Sequence, residues 1–213
     1  LGWVTGRVEL YDPNDDPITI NPSQTSRRFA PKVFLYTDDV IGANLSLRRE
    51  AIDAVGGYDE LLGAGAPLAA AEDIDIVSRV AAHGWRGAYD PRVVVSHHHG
   101  RKSKDVAQLF KNYDVGRGAY TIKYLYRGRL LAFLRGAASI RFRLGHFQTW
   151  STREKRSMVF WETYGGFAYT GLKVMQLLGL RPLPKRRHAC ATCFASTRSQ
   201  ANDHTDVIRG DHP

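Results

Sequence analysis

Residues 41–99 of the chain, IGANLSLRREAIDAVGGYDELLGAGAPLAAAEDIDIVSRVAAHGWRGAYDPRVVVSHHH, determine the fold that the sequence predicts. The apolar run at 40–47 predicts a short strand, and 48–55 predict a helix with its apolar residues facing inward. Gly56 and Gly57 follow directly, and glycine readily adopts the left-handed conformation that ends a helix. This part of the chain therefore predicts a strand, a helix and a sharp turn.

The second half of the same stretch predicts one more helix and two more strands. The apolar side chains of 73–83 recur at the spacing of one helix face, and a glycine follows them. Strands are predicted at 85–89 and 93–96, and the run of valines in the second predicts burial on both sides of a sheet. A further strand is expected at 1–10. Helices that alternate with strands in this way predict an α/β fold.

Loops and helices account for the remaining residues. Residues 11–17 are almost all turn formers, and a solvated loop explains their carboxylates better than a metal site does. Residues 61–71 are small and poor in charge, so we expect few side chains to hold this loop in place. Helices are predicted at 106–126 and 130–180, and the polar, aperiodic residues 185–213 predict a disordered tail.

The formal net charge of +9 is unevenly distributed, because lysine and arginine concentrate in residues 127–187. This imbalance predicts an anionic partner. No recognition helix or RNA-binding signature accompanies the charge, so nucleic acid is not expected. Basic and aromatic residues alternate over 135–180, which favours peripheral contact with an anionic membrane; a packed helical hairpin is the alternative. No run of about 18 uncharged apolar residues predicts a transmembrane helix.

The first residues and the cysteines bear on the origin of the chain. It begins with LGWV, without an initiator methionine or a secretory signal pattern, so we expect it to belong to a longer protein. Cys190 and Cys193 form one CxxC motif, whereas structural zinc usually requires a second pair of ligands. With no other cysteine in the chain, a reducing cytoplasm is expected.

Glu72 and Asp73 stand directly before the second predicted helix. A carboxylate there could accept the proton of a reacting hydroxyl, and the helix N-terminus would keep it ionised. Acidic residues also cap helices without any catalytic role, and the pair taken alone favours that interpretation. Asp75 is a weaker candidate for the same task.

Gly42, Asn44 and Arg48 are candidate substrate contacts. Glycine lets a ligand approach the backbone, and the Asn44 amide can both donate to and accept from a sugar hydroxyl. Close packing between strands explains Gly42 and Asn44 equally well.

Three consecutive histidines follow the last predicted strand. The alternation of a strand places His97 and His99 on one face and His98 on the other. Imidazole nitrogens suit a divalent transition ion, although a polar strand end needs no metal. Arg101 and Lys102 come next and are candidates for phosphate contacts.

Over residues 3–126 the order of these motifs resembles the C-terminal half of family-2-type GT-A glycosyltransferases, and it is also similar to the C-terminal region of β-1,4-galactosyltransferases. The motifs that carry the resemblance are a Gly-Ala-Asn strand (42–44), an Arg-Arg-Glu helix (48–50), a Gly-Gly-Tyr-Asp-Glu turn (56–60), a glycine-rich loop (61–71), a Glu-Asp pair (72–73) and a histidine after a Pro-x-x-x-Val strand (91–97).

The resemblance implies the C-terminal part of a GT-A (Rossmann-like) domain over 1–126, followed by a helical extension over 127–184. In the family, the Asp of the Glu-Asp pair takes the proton of the acceptor hydroxyl, and the Glu holds the acceptor sugar. Asp73 is then the catalytic base and Glu72 an acceptor contact. The family often has Gly-Gly or Trp before this pair, whereas this chain has three alanines at 69–71.

The resemblance also implies a metal. A histidine in this position joins an Asp-x-Asp carboxylate to hold Mn²⁺ or Mg²⁺ on the nucleotide diphosphate, and His97 matches best, with His99 second. No Asp-x-Asp motif precedes Trp3, and the family's nucleotide-binding strands lie upstream. We therefore expect this chain to hold the acceptor-side and metal-side half only, and to be inactive alone.

The predicted function is that of an inverting glycosyltransferase in cell-surface or exopolysaccharide biosynthesis. It would transfer a sugar from a nucleotide diphosphate sugar to a glycan or lipid-linked acceptor, at the cytoplasmic face of the cell membrane. The alternative is a non-catalytic glycan- or membrane-binding half-domain that needs a partner chain.

Overall fold

The computed structural model describes residues 1–146 and 150–180, which form an α/β fold. In this part of the chain four strands make one mixed sheet, and five α-helices accompany it. The strands are β1 (Trp3–Leu10), β2 (Arg27–Phe29), β3 (Leu45–Leu47) and β4 (Gly87–His97). The helices are α1 (Arg49–Asp53), α2 (Glu72–Ala82), α3 (Ser103–Tyr126), α4 (Leu130–His146) and α5 (Thr152–Leu177). The α/β class predicted from the sequence is confirmed.

The sheet has the order β2-β4-β1-β3. The central strands β1 and β4 run parallel, and each has an antiparallel neighbour on its outer side. Their register shifts midway, since Gly6 lies opposite Asp90 whereas Arg7 lies opposite Val94. The intervening residues of β4 have no partner on β1, as in a β-bulge. The two strands predicted here are thus one strand with an irregularity at the predicted break.

Three predictions about the strands are wrong or incomplete. Val93 and Val94 are 43% and 41% exposed instead of buried, and successive side chains point to opposite faces, so neither face of the sheet is fully covered at this point of β4. Residues Gly42–Asn44 form a turn of 3-10 helix, so the strand predicted at 40–47 is limited to β3. β2 was not predicted.

Trp3 lies at the centre of the core. Its ring packs on Phe29 with centroids 4.8 Å apart, and the indole fills the space that a Cβ at Gly87 would occupy. The predicted apolar face of α2 covers the same core. The other fully buried members of this cluster include Leu35, Ala51, Ile74, Ile76, Val77, Val80 and Ala81.

Helices α3 and α5 approach each other at two glycines. A Cβ at Gly118 would overlap the carbonyl of Glu162, and a Cβ at Gly165 would overlap that of Val115. At the same crossing Arg117 Nε donates to Glu162 Oε1 at 2.9 Å. The helices after the sheet therefore pack closely on α3.

The described residues fall into two compact units, divided between Val174 and Met175. The boundary expected at 126/127 lies inside the first unit, between α3 and α4. Among the described helices none is long and apolar enough to cross a membrane. The expected disordered tail at 185–213, with its CxxC motif, lies outside the described residues.

Candidate active site

Asp73 is the second residue of α2 and faces the turn that precedes β3. Its Oδ2 accepts the N–H of Gly42 at 2.9 Å, and its Oδ1 accepts the N–H of Ile74 at 2.7 Å. A Cβ at Gly42 would lie 3.1 Å from Oδ2, so glycine at this position leaves room for the carboxylate. The structure thus brings together two predicted site residues that are 31 positions apart.

The Asp73 carboxylate has no cationic partner among the described residues. Burial raises its pKa to about 6, outweighing the backbone hydrogen bonds from Ile74 and Gly42 that lower it; the nearby charge of Glu72 raises it further. A carboxyl with a pKa close to neutrality exchanges protons readily near physiological pH, which suits a general base.

The loop before α2 holds two alanines in the left-handed conformation. Ala69 has φ 59° and Ala71 has φ 73°, and each such L-residue costs about 1–2 kcal/mol. Glycine would adopt these angles without strain. Backbone strain of this kind concentrates at functional sites, where surrounding packing maintains it.

Burial supplies that packing. The expectation that few side chains hold the loop is wrong, because Leu61, Leu62 and Leu68 are fully buried. Backbone hydrogen bonds also close the loop, from Leu68 N to Leu61 O at 3.1 Å and from Gly63 N to Ala70 O at 3.3 Å. The residues directly before Glu72 are therefore anchored.

Glu72 lies beside Asp73, and the charges of both carboxylates act on two tyrosines. Glu72 packs over Gly63, where a Cβ would come within 2.9 Å of its carboxyl carbon. Burial raises the pKa of Tyr58 and of Tyr113, and the charges of Asp73 and Glu72 raise both further. Both phenols are therefore within reach of the charges of the carboxylate pair and stay protonated at neutral pH. Sequence analysis missed them as site residues; Tyr58 stands in the Gly-Gly-Tyr-Asp-Glu turn, whereas nothing in the sequence marks Tyr113.

Asn44 occupies a structural position. Its Nδ2 donates to Arg7 O at 2.9 Å and to Val93 O at 3.0 Å, which joins β1 and β4 at the register shift. Its own carbonyl accepts from Thr5 Oγ1 at 2.8 Å. Both amide hydrogens are thus used within the protein. The predicted contact of Asn44 with a sugar stays a prediction, and in this arrangement it would rely on Oδ1.

Arg48 is not brought to Asp73. Its backbone N donates to Gly2 O at 2.9 Å, its Nε donates to Leu1 O at 3.1 Å, and its guanidinium lies 6.0 Å from the Trp85 ring. These contacts hold it at the start of β1, whereas Asn44 lies farther along the strand, beside Gly6.

The histidines follow the predicted alternation. His97 and His99 share a face with ring centroids 5.5 Å apart, and His98 is exposed. Burial lowers the pKa of His97, and the nearby His99 and Arg101 lower it further, so His97 is neutral at pH 7. The pKa of Tyr113 is raised overall, and the positive charge of Arg101 partly offsets that increase. Tyr113 is therefore affected both by this end of β4 and by the carboxylates at the start of α2.

The histidine nitrogens only partly suit a metal ion. His97 Nδ1 is buried without a hydrogen-bond partner and is available as a ligand. His99 Nδ1 accepts the N–H of Arg101 at 3.0 Å, so a neutral ring carries its hydrogen on Nε2 and cannot coordinate there. No group of three or more His, Cys, Asp or Glu side chains in the described residues could hold a metal ion. The part of the chain that the structure describes therefore does not complete the predicted metal site.

The loop at 11–17 packs against the histidine segment instead of being wholly solvated. Asp15 is 4% exposed, accepts the N–H of Gly100 at 2.9 Å, and pairs with Lys102 Nζ at 2.6 Å. Lys102 is thus engaged within the protein, which weakens the case for its predicted phosphate contact. Arg101 forms no ion pair among the described residues.

The arrangement is a partly buried carboxylate without a cationic partner at a helix N-terminus, with a second carboxylate beside it and two protonated phenols within reach of the charges of both. Such a set can hold a hydroxyl-bearing ligand and take a proton from it. Comparisons with protein-family models, with curated proteins and with solved structures found no match to this chain.

Proposed function

We propose that this chain is the acceptor-side part of an inverting, family-2-type glycosyltransferase with a GT-A fold. The observation that carries the proposal is the Asp73 carboxylate, which is partly buried, has no cationic partner among the described residues and has a pKa of about 6. Glu72 beside it is suited to hold the acceptor sugar, and the Tyr58 and Tyr113 hydroxyls can hydrogen-bond to the same sugar.

In the proposed reaction Asp73 takes the proton of an acceptor hydroxyl. The hydroxyl oxygen attacks the anomeric carbon of the donor sugar from the face opposite the nucleotide. The bond between that carbon and the diphosphate oxygen breaks, and its electron pair leaves with the nucleotide diphosphate. The configuration at the anomeric carbon is therefore inverted. Mn²⁺ or Mg²⁺ stays the expected cofactor of the proposed reaction; of the two histidines predicted as ligands, His97 keeps a free ring nitrogen, whereas the neutral His99 ring does not. The proton transfer to Asp73 does not depend on the ion.

Peripheral contact with anionic lipid at the cytoplasmic face of the cell membrane belongs to the same proposal. Leu131 on α4 is 63% exposed, and Phe160 and Phe167 on α5 are 59% and 75% exposed. Arg135 and Arg141 are exposed on α4. Exposed apolar residues near arginines favour an interface with anionic headgroups.

The test measures sugar transfer by the natural protein that carries this sequence, with a panel of nucleotide diphosphate sugars and glycan acceptors, with and without Mn²⁺. Asp73→Asn should lower kcat by about 10²–10⁴-fold, the usual contribution of a general base. Asp53→Asn, which changes an exposed carboxylate of α1, is the matched control and should retain activity. Unchanged transfer in Asp73→Asn would refute the assigned base. If no donor is turned over, the non-catalytic binding module becomes the better explanation.

A further inference from the structure

We propose that a cavity between α2 and the C-terminal part of α3 binds the phosphate group of a small molecule. This α2–α3 cavity has a volume of about 230 Å³. Its lining includes four cationic side chains, Arg79, Lys123, Arg127 and Arg129, and one carboxylate, Asp75. The residues around Asp73 are not part of this lining, so the inference goes beyond the proposed transfer reaction.

Arg79 provides a donor that the protein leaves unused. Its side chain is 7% exposed, and its Nη1 donates to Val55 O at 2.9 Å and to Gly57 O at 2.5 Å. Its Nη2 is buried and has no hydrogen-bond partner. A buried charged donor without an acceptor is costly. Arg79 lines the cavity, so an anionic oxygen that came within hydrogen-bond distance of Nη2 would supply the missing acceptor.

The cations of the cavity outnumber its carboxylates. Asp75 pairs with Arg79 Nε at 2.8 Å and with Lys123 Nζ at 2.6 Å, and Lys123 also pairs with Asp59 at 2.6 Å. Asp59 and Asp75 together balance Arg79 and Lys123. Arg127 and Arg129 add positive charge that no carboxylate balances in the part of the chain that the structure describes.

Hydroxyl groups form another wall of the cavity, and their hydrogens are already committed. Tyr120 Oη donates its one hydrogen to Leu35 O at 3.0 Å. It must therefore accept from Ser78 Oγ at 2.7 Å and from Tyr124 Oη at 2.6 Å. Recognition of an anion consequently depends on the arginines. The two tyrosine rings offer an apolar surface for an organic substituent.

The C-terminal carbonyls of α3 do not oppose an anion here, because backbone N–H groups cap several of them. Tyr124 O accepts the N–H of Arg129 at 2.9 Å and that of Arg127 at 3.2 Å, and Leu125 O accepts the N–H of Gly128 at 3.0 Å. The negative end of the helix is thus partly neutralised beside the arginines.

Size and donor geometry define the ligand class. The volume is below the 300–1,000 Å³ typical of sites for drug-sized ligands, so the ligand is small. Guanidinium groups bind phosphate oxygens with two parallel hydrogen bonds, which Arg127 can offer. Arg79 has only its Nη2 left, and Arg129 Nη2 already donates to Lys32 O at 3.5 Å. The three arginines can still each supply a donor to one of the three non-ester oxygens. Inorganic phosphate and a small phosphate monoester both meet these requirements.

Calorimetric titration of the whole chain with inorganic phosphate, phenyl phosphate and benzoate tests the proposal. We expect both phosphates to bind more tightly than benzoate. The double variant Arg127→Gln, Arg129→Gln should weaken phosphate binding by at least about tenfold, the effect of losing one charge-assisted hydrogen bond. The matched control Arg28→Gln, Arg86→Gln removes two exposed arginines that lie outside the cavity and should leave the affinity unchanged.

Arg79→Lys keeps the charge but removes the unpartnered Nη2, and it should also weaken phosphate binding. If this variant does not fold, the result of the double variant Arg127→Gln, Arg129→Gln decides. Tighter binding of phenyl phosphate than of inorganic phosphate supports a monoester ligand, and equal binding supports phosphate itself. Absence of binding at millimolar phosphate, equal affinity for benzoate, or an equal loss in the control overturns the proposal. Sugar transfer is not part of this readout, so the two proposals fail independently.

Discussion

Replacing Asp73 with asparagine should stabilise the protein at neutral pH. The pKa of Asp73 is about 6 in the folded protein, against 3.8 for an ordinary aspartate. Below about pH 4 the carboxyl is protonated in both the folded and the unfolded chain. As the pH rises from about 4 to about 6, the unfolded chain loses this proton first, so the free energy of unfolding falls. Above the folded pKa the full penalty is present.

The size of the effect follows from that difference. One pKa unit corresponds to about 1.4 kcal/mol, so ionised Asp73 destabilises the fold by about 3 kcal/mol above pH 6. Asparagine has one acceptor oxygen where aspartate has two, so the N–H of Gly42 or of Ile74 loses its partner, which costs about 1 kcal/mol. We therefore expect Asp73→Asn to gain about 2 kcal/mol at pH 8.

Urea unfolding followed by tryptophan fluorescence, from pH 4 to pH 8, measures this gain. The difference between Asp73→Asn and the wild type should grow through pH 4–6 and then stay constant. Asp114 also has a pKa raised to about 6 by burial, but it is present in both proteins and cancels in the comparison. A constant difference across the pH range, or a variant less stable at pH 8, would refute the raised pKa. Asp53→Asn should leave the pH dependence unchanged.

Two further substitutions test the backbone strain and the helix crossing. Ala71→Gly should stabilise the fold by about 0.5–1 kcal/mol, because relief of the left-handed strain exceeds the added freedom of the unfolded chain. Its control is Ala138→Gly at an exposed position of α4, which should destabilise the fold by about 1 kcal/mol. Gly165→Ala should destabilise the fold by about 1–3 kcal/mol, because the added Cβ overlaps α3. Its control is Gly171→Ala, which has open space around it and should leave the stability unchanged or raise it by up to about 1 kcal/mol. Urea midpoints measure all four. Equal effects within either pair would contradict the assigned strain or overlap.

The sequence predicted the helices better than the sheet, for physical reasons. Helix α2 has one apolar face that the core buries, and its periodicity is legible in the sequence. In β2 only three residues, two of them arginines, pair with β4, so no alternation marks it. Asp15 stands among turn formers, and its burial results from contacts with Gly100 and Lys102 far along the chain, which no local pattern encodes.

For the candidate site, the sequence identified Asp73 and Glu72 but not what surrounds them. The contact of Gly42 with Asp73 depends on how the turn before β3 meets α2. The position of Tyr113 relative to the carboxylates depends on how α3 crosses the loop at 61–71. Such placements come from packing between elements. The sequence assigned Arg48 to the same site, yet the pairing of β1 with β3 holds it at the start of β1.

Asp73 differs from the buried carboxylates of the fold because it forms no ion pair among the described residues. Among the described residues, Asp15 pairs with Lys102, Asp75 with Arg79 and Lys123, and Glu162 with Arg117 and Arg143. Asp73 has only backbone N–H groups, and strained Ala71 precedes its helix. Both features lower stability, and either could be relieved by one substitution. Selection for stability alone does not explain why both features stand side by side, and their coincidence at the start of α2 supports the proposed role of Asp73.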